Sequence, residues 1–234
     1  RTEQTGSAGV YEDVELVTEG EKAKELKNQG KTEQEIAAQT EPILGGAELT
    51  MLAGQTKAQM MSFLLETKEG SLIVVDGGWW DDAGYLTEQI KARGGHVSAW
   101  FLTHAHTDHV GALLNILQSE EDGEDTGITI DHIYYDFASL DWYKTHELSD
   151  LGTAGSILTA LSKLPKDEAC PVKKGDEILV DDVCITVLND RYEPDADHVG
   201  ERDGNDASMV YRMLVNGVTI LFTGDLQVDG GNHV

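Results

Sequence analysis

The sequence predicts an α/β fold, and three observations carry the prediction. Short apolar runs of strand length alternate with stretches whose apolar residues recur at helical spacing. Two of the strand-like runs end in special turns: residues 71–75 lead into Asp76-Gly77-Gly78, and residues 97–102 lead into His104-Ala105-His106-Thr107-Asp108-His109. The chain has 234 residues, 40% of them hydrophobic, which suffices for one sizeable core and an extension.

Residues 1–45 read as a polar, partly helical N-terminal extension, and residues 46–234 as the main domain. Residues 1–9 are rich in small and polar types. Residues 19–28 have a thin helical pattern that Gly30 ends, and Thr32-x-x-Glu35 is a capping-box pattern for a second short helix through Ala38. Packing on the main domain is the favoured role for this segment, with a spacer from a surface anchor as the alternative.

The domain opens with strand patterns over 48–52 and 60–66, followed by the strongly apolar 71–75. Asp76, at the end of that run, reads equally as a turn residue or a site residue. A helix is expected over 85–93, closed by Gly94-Gly95, then a strand over 97–102. After the charged connector 120–127 comes a strand over 128–135 and a helical stretch over 141–164, weakened by Gly152 and Gly155; its Trp142 and Tyr143 are candidates to line a pocket. His132 and His146 have no ligand-type neighbours in sequence and read as structural or exposed. Residues 172–188 form a hairpin pattern turning at Asp181-Asp182, and 189–204 a polar mobile loop. A second hairpin, 209–214 with 218–222, turns at Asn216-Gly217 and runs into Thr223-Gly224-Asp225.

Three histidines and an aspartate fall within six residues, between a strand and a helix whose apolar stripe is Val110, Leu113, Leu114 and Leu117. His104 and His106 alternate, so in an extended loop their imidazoles leave on the same side and can share an ion. Asp108 and His109 sit where the chain turns into the helix and aim elsewhere, toward a second ion. Packed this densely, such groups would repel one another or be buried without partners unless a cation joined them.

The cluster matches the His-x-His-x-Asp-His signature of the metallo-β-lactamase superfamily, which the stretch from Ala47 to Asp225 resembles. The resemblance implies an αββα sandwich. It implies that Asp76 braces the metal loop and that Asp225 bridges two metals, whereas on sequence alone a strand-end aspartate is more often a turn residue. Where many members have a further histidine this chain has Asn205, in Asn205-Asp206-Ala207-Ser208, and His198 is the candidate substitute. The Asn-x-x-Ser pattern resembles the competence-type DNA-uptake and phosphorylcholine-esterase branch, whose members act on phosphodiesters. The family also places a last histidine beyond the bridging aspartate, and His233, in a glycine-rich tail, is ill suited to that role. The chain is therefore expected to be a fragment lacking the C-terminal part of the sandwich, with residues 218–222 left as an edge strand that favours self-association.

These implications amount to a metal-dependent hydrolase, in the first instance a phosphodiesterase. One or two zinc ions are expected at His104, His106, Asp108, His109 and Asp225, with manganese or iron also compatible. Asp108 would assist the leaving group and Asn205 would contact substrate. The alternatives are hydrolysis of a carboxylic ester, lactone or thioester, and a domain that binds metal or a phosphorylated ligand without turnover.

The net charge of -26, from 17 Lys and Arg against 43 Asp and Glu, repels polyanions and argues against an extended nucleic-acid groove. Screening confines that repulsion to about 10 Å, so a small phosphodiester remains compatible. No apolar run has transmembrane length. Acidity and the polar leader point to an extracellular or cell-surface location, with the cytoplasm as the alternative. Cys170 and Cys184 form no metal or redox spacing and read as two thiols or one disulfide.

Overall fold

The computed structural model describes residues 14–15, 28–30, 32, 43–193 and 203–234. The helices expected over 19–38, most of the loop 189–204 and His198 lie outside the described residues.

Seven strands form the larger sheet: β1 (Val14–Glu15), β2 (Glu48–Met51), β3 (Phe63–Glu66), β4 (Leu72–Val75), β6 (Ala99–Phe101), β8 (Ile133–Tyr135) and β9 (Ala169–Pro171), neighbours in that order. Pairing is antiparallel from β1 to β4 and parallel from β4 to β9. A short parallel pair, β5 (His96–Val97) and β7 (Thr129–Ile130), lies apart from it. The second sheet is an antiparallel meander of β10 (Glu177–Val180), β11 (Val183–Val187), β12 (Tyr211–Val215) and β13 (Val218–Phe222). Its two turns have the backbone their residues favour, with Asp181 at φ 50, and Asn216 and Gly217 at φ 46 and 79. The helices are α1 (Ala83–Ala92), α2 (Thr107–Glu121), α3 (Leu140–His146), α4 (Leu151–Lys163) and the short α5 (Val228–Gly231).

Strand alternation divides the core in two. Leu64, Leu72, Val74 and Trp100 face the helices, where they meet Leu86, Ile90, Leu113 and Ile157. Leu65, Ile73, Val75 and Phe101 face the second sheet and meet Val183, Ile185, Tyr211 and Met213. Each such side chain taken out of water contributes about 1.5–3 kcal/mol. Phe101 stacks on Tyr134 at 4.9 Å and meets Tyr211 edge-on at 5.0 Å, and the Tyr211 hydroxyl donates to Leu102 O at 2.8 Å. The strand that delivers the histidines is thereby held on the second-sheet side, while Trp100 anchors it on the helix side. Among the described residues three layers of the sandwich are present: helices, large sheet, small sheet. On the outer face of the small sheet Leu179, Leu214 and Leu221 are exposed.

The sequence expectation of one helix over 141–164 requires correction. Two helices occupy it, and the break falls at 147–150 rather than at Gly152 or Gly155, both inside α4. A glycine in a helix costs only about 1 kcal/mol, whereas Glu147 is drawn inward by partners described below. The strand expected over 128–135 is likewise divided, β7 joining β5 and β8 joining the large sheet. Cys170 in β9 and Cys184 in β11 are both free thiols. No helix among the described residues is long and apolar enough to cross a membrane.

Candidate metal centre

The histidine cluster leaves β6 and becomes the first turn of α2. His106 is the N-cap residue of that helix, with extended backbone (φ -75, ψ 151), and its carbonyl accepts from His109 N and Val110 N at 3.0 Å each. His104 is in the preceding loop and His109 on the first turn, so the helix start folds His109 back over His104. The ring centroids are 4.0 Å apart for His104–His109 and 4.4 Å for His104–His106.

Asp76 is the brace behind this loop. It is 1% exposed and has φ 56, a left-handed conformation that aspartate tolerates better than most residues. Its Oδ1 accepts from Thr103 N at 2.8 Å, and its Oδ2 lies 2.8 Å from both Thr103 Oγ1 and His109 Nδ1. Its backbone carbonyl accepts from Trp100 Nε1 at 3.1 Å, so the core holds the brace in turn. Asp76 is thus at once a turn residue and a buried partner of His109.

With Nδ1 of His109 engaged by Asp76, its Nε2 is turned toward the cluster. His104 is oriented the same way, its Nδ1 lying 3.1 Å from Thr103 Oγ1 and 3.2 Å from Ser208 Oγ. The Nε2 atoms of His104, His106 and His109 are all buried and all without a hydrogen bond, as is Asn205 Oδ1. Carboxylates stand near two of them: Glu147 Oε1 is 3.2 Å from His106 Nε2 and Asp225 Oδ1 is 3.4 Å from His109 Nε2, neither in hydrogen-bonding geometry. Asp108 Oδ2 is 4.0 Å from His109 Nε2. Buried donors are rarely left this way, and imidazole nitrogens mixed with carboxylates form a donor set suited to a divalent cation. The residues present fit the metal that the sequence implies.

Ligand atoms of His104, His109 and Asp225 all lie within 4.8 Å of one another, and so do those of His106, Glu147 and Asp150. His104 thus lies beside both His106 and His109, with ring centroids 4.4 and 4.0 Å away. His106 also faces the junction between α3 and α4. The titration behaviour follows the same geometry. Burial, then the neighbouring rings of His109 and His106, hold His104 well below the ordinary histidine range, so it is neutral and able to donate a lone pair. Burial would also lower His109, but Asp76 first, then Asp225 and Asp108, outweigh it and raise that ring to about 10.

Of the other candidates, Asn205 is buried, and its amide is set beside His104. His233 stacks on Tyr192 at 3.9 Å and belongs to neither ligand group. His132 bonds the Asp167 carbonyl at 2.6 Å, and His146 stacks on Trp142, in keeping with structural roles. Thr103, Glu147, Asp150 and Gly204 were not legible as site residues. Glu147 lies inside an apparent helix pattern, and only the pairing of Glu147 with Asp150 three residues later hinted at a ligand-type spacing. Gly204 donates its N–H to Glu147 Oε2 at 2.9 Å, and a Cβ there would collide with that oxygen and lie 2.6 Å from His106 Nε2. Only glycine lets the 3-10 turn Asp203–Ala207 approach so closely. Asp206 then ties that turn to the segment after Asp225, its Oδ1 accepting from Gln227 N and Gly230 N at 2.9 Å each.

Fold and site together define a metal-binding α/β domain. The chain belongs to the metallo-beta-lactamase superfamily, whose family model matches residues 58–233. A UPF0173 metal-dependent hydrolase from Herpetosiphon aurantiacus is 42% identical over 57 residues, which cover 24% of this chain and 23% of that protein. Among solved structures, a Cronobacter sakazakii metallo-beta-lactamase with a HARLDQ motif is 15% identical over 70% of this chain and 55% of its own (TM-score 0.43). The metallo-beta-lactamase fold protein YhfI from Bacillus subtilis is 13% identical over 76% and 61% (TM-score 0.44). This chain therefore spans under a quarter of the curated relative and about three fifths of the solved ones.

Proposed function

We propose that this protein is a metal-dependent hydrolase acting on a small phosphodiester or phosphorylated substrate. The observation that carries the reading is the set of three buried, unpartnered Nε2 atoms, with Asp108 and Asp225 beside that of His109 and Glu147 beside that of His106. His104, His106, Asp108, His109 and Asp225 would hold one or two ions, zinc by default and manganese or iron by the same donor chemistry. When bound, such an ion would supply Lewis acidity toward water and toward a phosphoryl oxygen.

The chain's own residues do the rest. Asp76 and Ser208 fix the faces that His109 and His104 present. Asp108, partly exposed, could take up the proton released by the attacking water and pass it to a departing alkoxide. Asn205 offers an amide whose Oδ1 has no internal partner, suited to orienting substrate. The phosphodiester preference rests on the Asn205-x-x-Ser208 pattern, with Ser208 set on His104. In keeping with the charge of -26, the substrate is small rather than an extended nucleic acid.

Turnover of bis-p-nitrophenyl phosphate, compared with p-nitrophenyl acetate, tests the reading. Metal-dependent cleavage of the phosphodiester is expected. Cleavage of the acyl ester alone would move the substrate to the carbonyl class, and binding of metal without either activity would leave a non-catalytic domain.

A further inference from the structure

The histidines are delivered by a buried strand and a helix, but Asp225 reaches them from a loop. That loop follows β13, the outer strand of the small sheet, and precedes α5, which has only four residues. The Asp225 side chain is 31% exposed where that of His109 is fully buried, and its Oδ1 stands 3.4 Å from His109 Nε2. The 3-10 turn Asp203–Ala207, with Ser208 after it, meets this loop on either side of Asp225. On the near side Gly224 has φ 52, and a Cβ there would lie 2.7 Å from Ser208 Oγ and 2.8 Å from Thr103 Oγ1. On the far side Gln227 is the N-cap residue of α5, yet its side chain makes no cap bond. Asp206 takes that place from across the fold, its Oδ1 accepting from Gln227 N and Gly230 N at 2.9 Å each. Gly230 is buried, and a Cβ on it would collide with the Asp206 carbonyl. Asp206 itself is buried and belongs to neither group of ligand atoms. A carboxylate is costly to bury unless donors meet it, and the donors here are those of the loop that carries Asp225.

Resting on the metal centre of the hydrolase reading, we propose that Asp206 is a positioning residue: it fixes this loop so that Asp225 is presented to His109. The Asn205-x-x-Ser208 pattern is then a clasp that registers the Asp225 carboxylate against the histidine loop. Ser208 forms one end, its Oγ 3.2 Å from His104 Nδ1 and its neighbour Gly224 left no room for a side chain. Asn189 holds that end in turn, donating to Ser208 O at 2.9 Å and accepting from Val210 N at 2.8 Å. Asp206 forms the other end. Without its side chain the loop keeps its own turn bond, Leu226 N to Thr223 O at 3.1 Å, but loses both ties beyond Asp225. An ion would then have to order the loop as it binds, which subtracts from its affinity.

The test is a double-mutant cycle read by zinc affinity, measured on the full chain by competition with a chromophoric chelator. Asp206→Ala should weaken zinc about 10–100-fold while Asp225 is present. In the Asp225→Asn background the same change should cost less than about twofold, because the carboxylate that it positions is gone. Asp206→Asn keeps an oxygen able to accept both N–H groups and should recover most of the loss. Gly230→Ala presses on the same contact and leaves every carboxylate in place, so it should reproduce the loss even if Asp206→Ala fails to fold. Equal losses in both backgrounds, or unchanged affinity in both Asp206→Ala and Gly230→Ala, would overturn the positioning role alone. The expected coupling with no turnover of bis-p-nitrophenyl phosphate would uphold that role and overturn the hydrolase reading.

Discussion

Asp76 Oδ2 lies 2.8 Å from His109 Nδ1, both side chains being almost wholly buried. The same carboxylate holds Thr103 through its N–H and hydroxyl. One residue at a strand end thus sets the path of the loop and the direction of a ligand nitrogen. Asp76→Asn keeps the shape and the left-handed backbone but removes the charge. Metal affinity should fall about 10–100-fold, as is usual when a partner behind a ligand is lost. Competition with a chromophoric chelator reads it, and unchanged affinity would mean that Asp76 serves the backbone alone.

The His109 ring carries a pH signature in the metal-free protein. Its folded value, about 10, lies above the ordinary 6.5. A raised value means that the stabilisation is fully present below pH 6.5 and is lost as pH climbs through 10. Denaturant unfolding of chelated protein should therefore show stability falling across that window, and His109→Asn should flatten the decline. An equal slope in the variant would assign the effect to other groups.

Gly204→Ala should be disruptive although it adds one methyl group. The new Cβ would collide with Glu147 Oε2 and sit 2.6 Å from His106 Nε2. Overpacking of this kind costs about 1–3 kcal/mol. Thermal unfolding measures it, and Gly152→Ala, where nothing lies within 4 Å of the added carbon, is the control expected to be neutral or stabilising.

β13 is the outer strand of the small sheet, and Leu221 on it is 55% exposed. Such an edge favours pairing between chains, and a lysine on it opposes that pairing. Light scattering should find concentration-dependent association that Leu221→Lys reduces; a strict monomer at high concentration would count against the edge as a contact.

Much of the fold was legible because local chemistry and tertiary position agree. Asn216-Gly217 supplies the left-handed pair that a tight hairpin needs, and residues 71–75 are apolar on both faces because β4 lies between helices and the second sheet. The histidine cluster was legible because its ligands are contiguous. Glu147 was not: it meets His106 across 41 residues and depends on a break between α3 and α4 that tertiary partners impose. Nor was the closeness of the His104 and His109 rings, since spacing in an extended loop says nothing of how the first helical turn rotates one ring over another.

Anomalous diffraction at the zinc and manganese edges, from crystals grown with both ions, shows most directly whether cations hold these imidazoles and carboxylates together. Density is expected among the Nε2 atoms of His104, His106 and His109; rings with no anomalous peak between them after soaking in divalent salts would overturn the metal-centre reading.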